Sequence, residues 1–194
     1  MLELCGFNEN TPLGEESNNE SIEGSPVISP ILKSHLDVKT LLSYSIYNNH
    51  AAYIDNNNII RGIGDNYLLQ ISPSLPDDEF EEFQEFVIKD TNNQTWIPTS
   101  VACGSNYTLY IVADPNHKNF PQVAYSFCSI EAKFPLFLNI ENLNPVALFS
   151  GCKNSAFIES NGGIVFIPDS HRSSPDSTLD HYLLPTAEKA VSVA

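Results

Sequence analysis

One stretch of this chain occurs more than once, and that recurrence limits the folds open to it. Ser100-Val101-Ala102-Cys103-Gly104-Ser105-Asn106-Tyr107-Thr108-Leu109-Tyr110-Ile111-Val112 begins with small residues, passes a glycine and runs into a strand-like segment. From Thr108 to Val112 both alternation sets are largely apolar, with Leu109 and Ile111 on one side and Tyr110 and Val112 on the other. A half-exposed strand alternates apolar with polar, so this one is expected to be covered on both faces. A second copy runs from Pro145 to Ile158, with Gly151 standing 47 residues beyond Gly104. A weaker copy runs from Tyr44 to Ile54, where Tyr47 holds the place of the glycine, 57 residues before Gly104. Lys189-Ala190-Val191-Ser192-Val193-Ala194 reads as the start of a further copy. A second element, Gly64-Asp65-Asn66, is echoed by Gly6-Phe7-Asn8, 58 residues earlier. Loose self-similarity at this spacing is the mark of a repeat architecture.

The chain has 194 residues, enough for one domain with a sizeable core. With 9 Lys and Arg against 24 Asp and Glu, its net charge is −15. That balance argues against a nucleic-acid backbone or an anionic membrane as partner, and it suits a basic protein partner or simple solubility. Met1 to Phe7 has neither a basic start nor an apolar run, no C-x-x-C occurs, and no apolar run approaches a membrane span. Cys103 and Cys152 flank the repeat glycine, where a small buried residue is wanted, so reduced core thiols and an intracellular setting, cytoplasmic or nuclear, are expected.

Read in order, repeat remnants fall at about 1–14, 45–72, 98–128 and 145–168, with a new repeat starting at 189–194. Residues 15–28 are polar and read as a mobile loop. Residues 45–72 form a hairpin turning at Asp55-Asn56-Asn57-Asn58, since Asn and Asp tolerate left-handed backbone. Phe80, Phe83 and Phe86, spaced by three, suit one face of a short helix. A hairpin is expected around Asp90-Thr91-Asn92-Asn93, and another around Asn161-Gly162-Gly163. Many short strands, regular turns and doubly covered faces point to an all-β fold, a partial β-propeller of about three blades. A sandwich buries one face per sheet and would show cleaner alternation.

The residues of these copies resemble a known family. Val101-Ala102-Cys103-Gly104-Ser105-Asn106-Tyr107-Thr108-Leu109 is similar to the repeat signature of the regulator of chromosome condensation family. Gly6-Phe7-Asn8-Glu9-Asn10-Thr11-Pro12-Leu13-Gly14 resembles that family's Gly-x-Asn turn ending in Leu-Gly. Gly64-Asp65-Asn66-Tyr67-Leu68-Leu69-Gln70-Ile71 resembles the same turn without its closing glycine, and His50 sits where the family often has a histidine. The resemblance runs from Leu2 to Ala194, through degenerate copies. It implies a propeller of seven four-stranded blades, of which this chain would hold the N-terminal part, with sheet edges and apolar faces left uncovered. It also implies function: a non-catalytic protein-protein interaction scaffold, or, alternatively, a guanine-nucleotide exchange factor for a Ran-like small GTPase. Expected partners are another protein, such as a small GTPase or a ubiquitin-pathway component. Exchange needs no catalytic acid or base, and no loop here matches a GTPase-engaging one.

Candidate chemistry is sparse. Arg61-Gly62-Ile63-Gly64-Asp65 opens no helix and has no lysine, so it does not read as a phosphate cradle. The histidines are scattered, and His50 beside Ala51-Ala52 reads as a packed, hydrogen-bonded residue. No cofactor, metal or catalytic constellation is expected. The most distinctive stretch outside the repeats is the acidic run at 77–85. Asp77, Asp78, Glu79, Glu81, Glu82 and Glu85, interleaved with phenylalanines, are the candidate partner-binding residues. The plainer reading is a segment whose Phe side packs on the propeller while its carboxylates are solvated.

Overall fold

The computed structural model describes residues 5–6, 27–28, 40–47, 49–75, 79–116, 121–127, 134–138, 140, 143–167 and 180–182. The polar segment 15–28, apart from its last two residues, lies outside them, as do Asp77, Asp78 and the proposed repeat start at 189–194. Among the described residues every regular element is a strand. A short ladder pairs β1 (Cys5–Gly6) with β2 (Val27–Ile28). Three antiparallel meanders follow. The first is β3 (Leu41–Tyr47), β4 (His50–Asp55), β5 (Ile60–Asp65) and β6 (Glu79–Phe86), in that order across the sheet. The second is β7 (Ile88–Lys89), β8 (Thr95–Cys103), β9 (Tyr107–Ala113), β10 (Pro121–Phe127) and β11 (Leu136–Phe137). The third is β12 (Pro145–Ser150), β13 (Ser155–Glu159), β14 (Ile164–Ile167) and β15 (Asp180–Tyr182).

The expected double cover is present. Tyr107–Val112 in β9, all of β13 and all of β4 are buried, although adjacent side chains on a strand point to opposite faces. A residue buried on each face needs a neighbour on each side, and for β9 two apolar clusters supply it. One joins Ile54, Ile60 and Phe86 of the first sheet to Val101, Tyr110 and Val112 of the second. The other joins Ala102, Leu109 and Ile111 of the second to Leu148, Phe157 and Val165 of the third. Within β9, odd-numbered residues therefore face the third sheet, and Tyr110 and Val112 face the first. Sheets stacked this way through both faces are blades of a β-propeller, and the described residues form three of them. Thr108–Val112 and Ser155–Ile158 lie in different blades, as the repeat requires.

The sequence periods recur in the geometry. In all three blades the pairing of the innermost strand slips at one residue: between Leu41 and Ser43, between Pro98 and Ser100, and between Pro145 and Ala147. The skipped residues, Leu42, Thr99 and Val146, stand 57 and then 47 positions apart. A bulge sharpens strand twist locally, so repeating it gives each blade the same curl.

Two expectations about residues 77–86 are corrected. Phe80, Phe83 and Phe86 do not share a helix face, because Glu79–Phe86 is strand β6. Strand parity sends Phe80 and Phe86 to the second blade, where Phe86 meets Tyr110 edge-on at 6.2 Å. Phe83 lies on the opposite face, edge-on to Tyr53 at 5.0 Å. Nor is the acidic run an insertion outside the repeat, since its described part is the outermost strand of the first blade.

Gly104 is required by a close approach rather than by a turn. A Cβ there would lie 2.1 Å from the Tyr107 ring, whereas one on Gly151 would meet only Asn154 O at 3.7 Å. Gly104→Ala is therefore expected to cost about 1–3 kcal/mol through overpacking. Gly151→Ala should stay within about 0.5 kcal/mol. Urea unfolding of the two variants measures the difference, and equal costs would refute this account of the repeat glycine.

Candidate functional site

The innermost strands β3, β8 and β12 stand side by side, bound by their own side chains. Val101 N donates to Ser43 Oγ at 3.1 Å and Cys103 N donates to Ser45 Oγ at 2.9 Å, so serines of one blade cap strand amides of the next. Ser150 Oγ reverses the arrangement, donating to Cys103 O of the preceding blade at 2.5 Å. One strand further out, His50 Nε2 lies 2.9 Å from Thr108 Oγ1. The corresponding residue of the second blade, Tyr107, reaches the third, with its hydroxyl donating to Gly151 O at 3.0 Å and sitting 2.7 Å from Ser155 Oγ.

These strands wall a cleft of about 440 Å³, lined by Tyr44 and Ser45, Val101 and Ala102, and Leu148 and Phe149, among others. Its walls bring no carboxylate, histidine, lysine or cysteine into the space. Among the described residues, no three His, Cys, Asp or Glu side chains gather as a metal-ligating group, and no helix is long and apolar enough to cross a membrane.

The titratable groups near the hub are occupied in packing. His50 is fully buried, and desolvation lowers its pKa to about 4 against opposing pulls from the Tyr107 carbonyl and Asp65. Cys103 is buried and desolvation pushes its thiol up to about 12; its Sγ donates to Ser45 O at 3.4 Å. Burial likewise raises Tyr110, whose hydroxyl donates to Ile71 O at 2.9 Å. The cysteines do not behave as a pair: Cys152 is exposed, correcting the expectation of two core thiols. Cys103 precedes the glycine on a strand, whereas Cys152 follows it in the turn.

The turn at Gly64-Asp65-Asn66 is built by its own side chains. Gly64 sits at φ 97, Asn49 Nδ2 donates to Asp65 Oδ2 at 2.6 Å, and Asn66 Oδ1 accepts from the Ile71 and Ser72 amides. Of the candidate partner-binding residues, Glu79, Glu81, Glu82 and Glu85 are exposed on β6, the outer edge of the first blade and away from the cleft. Glu85 Oε2 accepts from Arg61 at 3.0 Å, while Arg61 also reaches Asp55 at 2.9 Å. Carboxylates along a strand at the edge of a sheet also discourage edge-to-edge pairing. The hub cleft was not anticipated from sequence. Its one advance signal was the recurring small residues Ser45 and Ala102 on the inner strands.

Radially packed four- and five-stranded meanders around a hub define this chain as a β-propeller segment. Its fold is that of regulator-of-chromosome-condensation-type propellers. Human WBSCR16 superposes with a TM-score of 0.61 at 13% identity, over 93% of this chain and 48% of that one. Prp20p from Saccharomyces cerevisiae, solved in a study of its binding to Gsp1p and histones, gives 0.57 at 14% identity, over 91% and 43%. Yeast RCC1 (Prp20) bound to Kap60 gives 0.56 at 13%, over 95% and 42%. The chain thus spans less than half the length of these structures. No protein-family model matches it, and no curated protein matches it in sequence.

Two outcomes follow from the buried groups. A lowered histidine pKa makes the folded state refuse a proton that the unfolded chain accepts. Stability is then full above pH 6.5 and is lost as pH falls toward about 4, by roughly 3 kcal/mol. Urea midpoints measured across that window should fall more steeply for the native chain than for His50→Asn. Peptide mapping after brief exposure to a thiol reagent should find Cys152 modified and Cys103 untouched until the chain unfolds.

Proposed function

We propose that this chain is a non-catalytic protein-interaction module. The observation that carries this reading is how the hub's titratable groups are used. His50, Cys103 and Tyr110 are buried in blade-to-blade contacts, and the open cleft between the blades is walled by aliphatic, aromatic and small polar groups. Such a surface recognises by shape and apolar contact.

The exposed carboxylates Glu79, Glu81, Glu82 and Glu85, with Asp77 and Asp78 beside them in sequence, are the proposed seat of a basic partner. Support comes from the net charge of −15 and from the fold shared with Prp20p, whose histone binding is named with its structure. The solved neighbours lend no support to a ubiquitin-pathway partner. A second reading, guanine-nucleotide exchange on a Ran-like small GTPase, is favoured by one observation, the fold shared with a protein solved for its binding to Gsp1p.

Two assays separate the readings. Core histones are expected to retain the chain at about 0.15 M salt, and the combined Glu81→Lys and Glu82→Lys variant should lose several-fold of that retention. Release of labelled GDP from a Ran-like GTPase should be unchanged by the chain. A marked acceleration would replace the scaffold reading with the exchange one, and equal histone retention by the charge-reversed variant would remove the acidic edge from it.

A further inference from the structure

The seam between the first two inner strands is sealed by serines. Val101 N and Cys103 N of β8 donate to Ser43 Oγ and Ser45 Oγ of β3. Shifted by the repeat spacings of 57 and 47 residues, the same contact at the next seam would run from Leu148 N and Ser150 N of β12 to residues 100 and 102 of β8. Residue 102 is an alanine and has no hydroxyl, and no hydrogen bond joins Ser100 to Leu148. The second seam is held from the other side instead, by Ser150 Oγ on Cys103 O.

Ladder geometry fixes where those two amides point. Gly151 N donates to Asn154 O, which makes that pair a hydrogen-bonded one. Bonded and non-bonded pairs alternate along an antiparallel ladder. Phe149–Ala156 is then bonded as well, and Leu148–Phe157 and Ser150–Ser155 are the non-bonded pairs. The N–H groups of Leu148 and Ser150 therefore turn away from β13, toward the side of β12 where no described strand pairs with it. β8 has the same phase: Gly104 N donates to Tyr107 O, and the amides of Val101 and Cys103 are the ones that serines reach. Leu148 and Ser150 both line the hub cleft, and among the described residues neither amide has a hydrogen-bond partner.

Two donors two residues apart on a strand are separated by roughly 7 Å. No single carboxylate, phosphate or hydroxyl spans that distance, whereas carbonyls at positions i and i+2 of another extended chain do. The rest of the wall is uncharged, with Val101, Leu148 and Phe149 supplying apolar surface, so it suits apolar, uncharged side chains.

We propose that the hub cleft takes an extended, uncharged, apolar segment of a partner protein, whose carbonyls accept from Leu148 N and Ser150 N and whose side chains lie against Val101, Leu148 and Phe149. This rests on reading the chain as an interaction module, and it adds a contact chemically unlike the acidic edge of β6.

Amide hydrogen exchange, read residue by residue, tests it. In the chain alone the Leu148 and Ser150 amides should exchange about tenfold faster than those of Val101 and Cys103. Equally slow exchange at all four would mean that this chain or a second copy already fills the cleft, and would overturn the proposal. A capped Thr-Val-Thr-Val peptide at millimolar concentration should slow Leu148 and Ser150 several-fold, and a capped Lys-Glu-Lys-Glu peptide should not. Ala102→Ser supplies the missing hydroxyl, so it should protect Ser150 without peptide and weaken the peptide's effect several-fold. If that variant fails to fold, Phe149→Ala should show the weakened effect through the apolar wall. No protection by the Thr-Val peptide, equal protection by the charged one, or an effect that the folded variants leave unchanged would overturn the proposal. Histone retention and GDP release read other surfaces, so a failure there is distinguishable from a failure here.

Discussion

The structure depends on strands that are apolar on both sides. β4 and β13 are buried along their whole length and β9 from Tyr107 to Val112, and the two faces of β9 are covered by two different sheets. Fully burying one Leu, Ile, Val or Phe side chain contributes about 1.5–3 kcal/mol, while an ordinary hydrogen bond nets about 1 kcal/mol. The packing of Leu109, Ile111, Tyr110 and Val112 therefore outweighs any single polar contact between blades. The polar contacts set register instead. Ser43, Ser45, Ser150 and Tyr107 each place a hydroxyl where only one alignment of neighbouring blades satisfies it.

That division of labour explains how degenerate repeats hold one architecture. His50 and Tyr107 differ in size and chemistry, yet both reach the next blade from equivalent positions. Ser45 accepts from an amide of the following blade, while Ser150 donates to a carbonyl of the preceding one. What is kept is the reach across the seam, not the residue type, and this accounts for a chain that matches solved propellers in fold at 13–14% identity.

The same logic bears on the functional surface. Every titratable group drawn into a seam is desolvated and loses its ordinary acid–base range, as His50 and Cys103 show. Groups left outside the seams, such as Glu81 and Glu82 on β6, stay exposed to solvent.

The sequence by itself determined a good deal. The 47- and 57-residue spacings, the doubly apolar run Thr108–Val112 and the Asn- and Gly-rich turns specified an all-β repeat and the places where its hairpins turn, with Asn58 and Gly162 both at positive φ. Those features are local, fixed by backbone preference and by the simple need for cover. Other features were decided only by tertiary packing. The spacing of Phe80, Phe83 and Phe86 fits a helix as readily as a strand, and pairing with β5 chose the strand. Cys103 and Cys152 flank equivalent glycines, and only the placement of strand against turn buried one and exposed the other. The cleft draws Tyr44, Val101 and Leu148 from positions far apart in the chain. No local pattern records such a meeting, because it exists only once three blades have packed around a common axis.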